Sequence, residues 1–353
     1  MSTLTNAEVL PRENYRRLVL RKRLILAGLV VLLLCSVLLD LALGPASYSL
    51  GEVLGAFFSP DSASPQVRVV MWDIRLPVAL MAVAVGAALS LAGAQMQTIL
   101  NNPLASPFTL GISAAASFGA ALGLAFGVAL FPLAAQFMVP LNAFIMAMLS
   151  ALLIHFLSMR RGVTAETIVL LGIALVFTFN ALLALVQFFA TEQAVAAVVF
   201  WTMGSLTKAT WPKLGVVCLV ILITLPVFAK RAWALTALRL GDDKAASFGI
   251  NVRSLRFQTL IMVSLLASFP VAFVGTIGFI GLVGPHIARM LIGEDQRFFL
   301  PASLLTGSLI LSASSVVSKT LIPGAIFPIG VVTSLIGVPF FISLILGGKK
   351  NTW

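Results

Sequence analysis

The sequence predicts an all-α integral membrane protein, a single domain over 1–353 built as one bundle of about ten transmembrane helices. Three observations predict it. Hydrophobic residues make up 60% of the chain and charged residues only 10%, with a mean hydropathy of +1.08, whereas soluble domains carry roughly 25% charged residues. The apolar residues gather in runs close to the ~20 residues that cross about 30 Å of hydrocarbon. The basic residues flank those runs, as the positive-inside rule expects. Helices follow because backbone facing lipid must satisfy its own hydrogen bonds. The net charge of +11 invites a nucleic-acid reading, but its distribution at the ends of apolar runs fits a membrane instead.

The first span, 23–43, follows a basic block of Arg12, Arg16, Arg17, Arg21, Lys22 and Arg23. It exceeds the roughly 7–15 residues of a signal-peptide core, so it reads as a retained helix behind a cytoplasmic segment, 1–22. The others are 75–99, 108–130, 137–159, 166–190, 210–229, 257–274, 277–292, 300–318 and 328–347. Ten spans put both termini on one side. With the N-terminus inside, 18 of the Lys and Arg residues fall inside and 5 outside. Trp72, Trp201 and Trp211 then fall at the outer interface and Trp233 at the inner one. Small residues recur every fourth position at Gly111, Ala115, Gly119, Gly123 and Gly127, and at Gly86, Ser90 and Ala94, a pattern for close helix packing. Cys35 and Cys218 each sit in an apolar run and read as buried structural thiols.

Three segments interrupt this plan. Asn101 to Pro107 holds prolines at 103 and 107, which stop a helix. It is either a plain turn or irregular backbone lining a pathway. Arg239 to Arg256 is a long polar insertion in which Asp242 and Asp243 open a short helix that Gly249 can end. It is either a solvated loop helix or a docking element. Gly275 to Arg289 carries Gly275, Gly278, Gly281 and Gly284 at every third residue, then Pro285, so the helix there is broken or tightly packed. His286 reads as a structural residue in that segment, and His155 as interfacial.

The missing signatures also discriminate. The chain has no G-x-x-x-x-G-K-[ST] phosphate loop, so it does not bind ATP in that way, and no H-E-x-x-H, C-x-x-C or G-x-S-x-G. A self-sufficient ion-coupled carrier would place acids inside its spans. Here all twelve acids lie in loops or near span ends, Asp40 being the nearest to a buried position. A translocation bundle of this kind borrows its energy from a partner.

The blocks IRLPVALMAVAVGAALSLAGAQMQTILNNPLASPFTLGIS (74–113), LGDDKAASFGINV (240–252), GFIGLVGPHIAR (278–289) and PIGVVTSLIGVPFFISLIL (328–346) resemble the permeases of the iron–siderophore, haem and vitamin B12 ABC importers. The resemblance implies the type II importer permease fold and a non-enzymatic subunit of the bacterial cytoplasmic membrane. It implies a second permease, identical or not, two cytoplasmic ATPase subunits that bind ATP, and an external substrate-binding protein. The cargo it implies is a ferric siderophore, with haem or cobalamin as alternatives. No cofactor or metal bound by this chain is implied.

Carried over by position, Arg75 and Lys319 would dock the binding protein. Gly241, Asp242, Asp243, Lys244, Ala245, Ala246 and Gly249 would form the coupling helix, within 239–256, that seats on the ATPase. Asn102 and Leu104 match one inner gate, and Thr164, Ala165 and Glu166 the other. Pro103, Pro107, Gly281, Gly284, Pro285 and His286 match structural motifs. Three departures stand out: Val78 where relatives have arginine, and Ser315 and Ile326 where they have acids.

Overall fold

The computed structural model describes residues 4–44, 48–58, 64–130, 137–158, 165–322 and 324–347. Thr164 and the basic residues Arg160, Arg161, Lys349 and Lys350 lie outside these. Among the described residues the regular elements are helices. Seven are long and apolar enough to cross a membrane, and three shorter apolar ones occupy the places of the remaining expected spans.

Helix α1, Leu4–Ala42, runs through the basic block into the apolar run without interruption. Two short helices that the sequence reading passed over follow, α2 (Leu50–Phe58) and α3 (Pro65–Val69). A π-helical turn, Val70–Arg75, leads into α4 (Leu76–Ile99), which carries Pro77 in its first turn, where a missing N–H is tolerated.

Helix α4 is the axis of the bundle. All of it except Leu80 and Val83 is buried. The cause is its run of small residues. A Cβ on Gly93 would collide with the backbone of Gly281, and one on Gly86 with the backbone of Gly307. At this close approach Ser90 Oγ donates to the Ser303 carbonyl at 2.5 Å, and Ser308 Oγ to the Val83 carbonyl at 2.9 Å. Backbone proximity of this kind replaces the hydrophobic driving force that lipid cannot supply.

Helix α5 (Ile112–Phe126) is shorter than the expected span over 108–130, because Pro107–Leu110 forms a 3₁₀ turn and Gly127 turns left-handed. It packs on α6 (Met138–Ser158), with Gly119 against the Asn142 backbone. Helix α7 (Ala165–Phe189) follows, then α8 (Glu192–Thr202), which the sequence reading missed; Thr191 caps it by accepting from the Ala194 amide. Next come α9 (Trp211–Lys230), α10 (Ala232–Leu238) and α11 (Asp242–Ser247). The chain closes with α12 (Val252–Val274), α13 (Ile280–Ile292), α14 (Gln296–Thr320) and α15 (Ile329–Gly347). Helices α12, α13 and α14 pack around α4, and α1 lies on α14.

Three side chains depart from expectation. Cys35 is exposed on α1, because that helix buries only its α14-facing side, while Cys218 packs against the main core. Trp201 is buried in that core and takes no part in an interfacial belt. His155 is buried, its ring 3.9 Å from that of Phe257, and is not interfacial.

Candidate translocation cleft and its two ends

Three breaks in helical structure meet in the bundle. Gly275 (φ 77°) ends α12 and Phe279 (φ 67°) opens α13, leaving 275–279 irregular. The chain also leaves helical geometry after α8 and before α15. These stretches satisfy one another. The Ser205 amide donates to the Val274 carbonyl at 2.7 Å, Ile329 N to Gly204 O at 3.2 Å and Gly330 N to Met203 O at 2.9 Å. Thr276 Oγ1 donates to the Thr202 carbonyl. Irregular backbone at membrane depth survives only where protein or water provides such partners.

Beside this junction lies a cleft of about 690 Å³. Phe108, Met203, Phe279, Leu335 and Val338 give it an apolar wall, and Ser106, Thr202, Thr276 and Ser334 contribute hydroxyls. Among the described residues, no charged side chain lines it. Of the two alternatives its spacing left open, the glycine-rich segment Gly275–Arg289 takes both: it is broken at 275–279, where the break forms one wall, and tightly packed beyond it. His286 faces the α15 ring of Phe340 at 6.0 Å, and Gly281 and Gly284 pack on α4. Met203, Thr202 and Ser334 escaped the sequence reading, since only the three-way meeting of breaks marks them.

At one end of the cleft stands the Asn101–Pro107 loop. Asn101 is left-handed (φ 45°), and the Asn102 amide bonds back to the Gln97 carbonyl at 3.1 Å. Asn102 Oδ1 accepts from the Leu104 amide at 2.9 Å, and Leu104 is exposed. Ser106 and Thr109 form a reciprocal cap that fixes the turn at Pro107. Pro103 lies in the preceding turn, closed by the Ala105 amide on the Asn102 carbonyl at 3.1 Å. Ala165 and Glu166 open α7, and Gly172, about two turns further on, packs on the Thr109 backbone. The two expected gate segments therefore belong to one end of the bundle.

The 239–256 segment lies at that same end. Helix α11 is short and capped as predicted, with Gly241 at φ 100° before it and Gly249 at φ 80° after it. Ala245 is buried, and Asp242, Asp243, Lys244 and Ala246 are exposed. The helix thus hangs from the bundle by one alanine and offers a polar face outward. Arg256 pairs with Asp242, Nη1 and Nη2 each donating to a carboxylate oxygen at 2.8 Å, and Arg256 Nε donates to the Ile99 carbonyl at 2.8 Å. Nearby, Glu294 pairs with Arg239 and, at 3.1 Å, with Arg289, whose Nη2 donates to Gln97 Oε1 at 2.7 Å.

At the far end, Arg75 is 7% exposed and donates to the Leu41 and Ala42 carbonyls at 2.6 and 3.1 Å, with its guanidinium over the Tyr48 ring. Lys319 Nζ lies 2.9 Å from Asp40 Oδ1, and Asp40 is fully buried. In this conformation both basic groups are spent on contacts within the chain. The departures Val78, Ser315 and Ile326 also converge here, lining one small cavity with Lys319. Val78 is far in sequence from Ser315 and Ile326, and the structure makes the three one neighbourhood.

A helical bundle whose broken spans surround an uncharged cleft, with a capped polar helix projecting from one end, defines a transport permease of the type II importer fold. A solved structure described as a metal-chelate type ABC transporter in an inward-facing conformation superposes with a TM-score of 0.81, at 29% identity, covering 92% of this chain and 99% of that one. The chain belongs to the FecCD transport family, whose model matches residues 25–347. It is similar to the hemin transport system permease protein of Yersinia pestis, 35% identical with 93% of this chain and 97% of that protein covered. It is also similar to the molybdate import system permease protein of Haemophilus influenzae, 31% identical with 93% and 96% covered. It is an ABC importer permease.

Proposed function

We propose that this chain is the membrane subunit that carries a ferric siderophore across the bacterial cytoplasmic membrane by alternating access. Its termini face the cytoplasm, it pairs with a second permease, and two separate ATPase subunits hydrolyse the ATP. An external binding protein delivers the cargo. The observation that carries this reading is the uncharged cleft of about 690 Å³ at the junction of three helix breaks. A wall of aromatic and aliphatic side chains with a few hydroxyls holds a bulky chelate weakly, which transport requires. It offers no cation for a small bare oxyanion.

Mechanically, ATP-driven closure of the ATPase pair pushes α11, and the loop Asn101–Leu104 and the start of α7 open or close the cleft sterically. A docking role for Arg75 and Lys319 rests on the family pattern and requires the far end to loosen from its present contacts. Haem is the second reading, favoured by the similarity to a hemin permease and by the aromatic wall of Phe108 and Phe279. Co-purification with an ATPase from neighbouring genes, then uptake into proteoliposomes with ferric siderophore, haem, cobalamin or molybdate, tests the reading. Uptake of the siderophore alone supports it, and uptake of another cargo alone reassigns it. Ion-gradient-driven uptake by the isolated chain overturns it.

A further inference from the structure

We propose that Arg256 is the positioning residue that transmits movement of α11 to the gate loop at the end of α4. The inference rests on the importer reading and adds the link that reading lacks. Among the described residues, α11 packs on α10 and on the start of α12, while the gate loop continues from α4. One guanidinium spans the gap. Its two terminal nitrogens hold both oxygens of Asp242 at 2.8 Å, and its Nε holds the carbonyl of Ile99, the last residue of α4, at 2.8 Å.

Geometry makes this contact directional. The Ile99 carbonyl is one of the last four of a helix and has no intrahelical partner, so a cation at that position is both a cap and a favourable charge. Two residues further on, Asn101 adopts its left-handed turn and Asn102 folds back to Gln97. Displacing Ile99 therefore displaces the gate loop as a unit. The other end of the segment is attached to the same turn of α4. Arg239 reaches Glu294, Glu294 reaches Arg289, and Arg289 holds Gln97. The coupling segment is thus tied at both ends to the last turn of α4, by a single residue on one side and by a chain of three on the other.

A plain stabilising staple is the competing explanation, and magnitude argues against it. Asp242 is 50% exposed on its side chain, and exposed pairs contribute about 0–1 kcal/mol. The pair adds little to folding, while its forked geometry fixes orientation. Only arginine can hold a carboxylate with two donors and a carbonyl with a third; lysine offers a point charge.

The test uses the full complex in proteoliposomes, the permease with its ATPase subunits and binding protein, scored as cargo taken up per ATP hydrolysed. In R256Q, ATP hydrolysis continues within about twofold while uptake per ATP falls about tenfold, the size of a typical coupling energy. R256K falls between R256Q and wild type. The exchange of R256D with D242R restores an ion pair but not the Ile99 bond, because a carboxylate only accepts; it stays uncoupled. Unchanged uptake per ATP in R256Q, or full recovery in the exchange, overturns the proposal. Should R256Q fail to assemble, R256K decides, since it keeps the charge but not the three-point grip: reduced uptake per ATP supports the link and wild-type coupling overturns it. A wild-type complex that neither assembles nor transports would instead sink the importer reading, so the two failures are distinguishable.

Discussion

The two ends of this bundle hold charged clusters of similar chemistry in opposite surroundings. At the far end, Asp40 is fully buried and faces Lys319, whose side chain is 9% exposed. At the basic end, Asp242 and Glu294 reach solvent while they hold Arg256, Arg239 and Arg289. The contrast teaches which end can move. A buried pair has already lost its hydration, so separating it leaves an uncompensated charge costing about 3–5 kcal/mol. A half-exposed pair regains water as it opens and resists by no more than about 1 kcal/mol. In this conformation α1 and α14 are therefore clamped together at the far end by their charges, whereas the end bearing α11 is oriented by its charges yet resists movement little.

The strongest way to break that comparison is at the buried pair. Asp40→Ala or Lys319→Ala alone should destabilise the solubilised protein by about 3–5 kcal/mol. Replacing both together, Asp40→Leu with Lys319→Met, should recover most of that loss. Thermal unfolding in detergent measures both. Equal, small losses in the two single variants would mean that water reaches the pair and that it does not clamp α1 to α14. Gly93→Ala comes next. The added methyl meets the Gly281 backbone of α13 rather than a movable side chain, and overpacking of this kind costs about 1–3 kcal/mol. Gly215→Ala, where nothing lies within reach of the new methyl, serves as the control and should unfold at the wild-type temperature.

Much of this architecture was legible in the sequence, for reasons visible in particular residues. Apolar runs of membrane length and flanking basic residues specify spans directly, so seven of the expected spans appear as helices of membrane length and the other three as shorter apolar helices in the expected places. The four-residue spacing of Gly86, Ser90 and Ala94 announced a closely packed helix, and α4 is one. Glycine spacing left a broken or a tightly packed helix open for Gly275–Arg289, and the structure shows the break at 275–279. Helices α2, α3 and α8 escaped because they are too short to carry a span signal, and α8 follows α7 after only two residues, Ala190 and Thr191. The pairing of Asp40 with Lys319 was hidden by sequence distance, since the two residues sit 279 positions apart. The wall of the cleft was hidden for a different reason: it is built from backbone breaks in three separate segments, and no one of them looks like a site alone.

The smallest effect sharpens the comparison from the exposed side. Asp295, at the start of α14, accepts from the Arg297 side chain and amide, with the side-chain contact at 2.7 Å. The hydrogen bond from Arg297 holds its carboxyl below the usual range for aspartate, against a smaller opposing push from burial. A depressed carboxyl contributes stability that is present above its unfolded value, about 3.9, and is lost as pH falls through its lower folded value. Asp295→Asn should therefore lower the unfolding temperature slightly at neutral pH and match wild type once the medium is acidic enough to protonate the native carboxyl. The difference at neutral pH should stay under about 1 kcal/mol, because Arg297 is largely in solvent. An effect as large as that of Asp40→Ala would show that water does not relax charges at this end. The distinction between a clamped far end and a movable basic end would then fail.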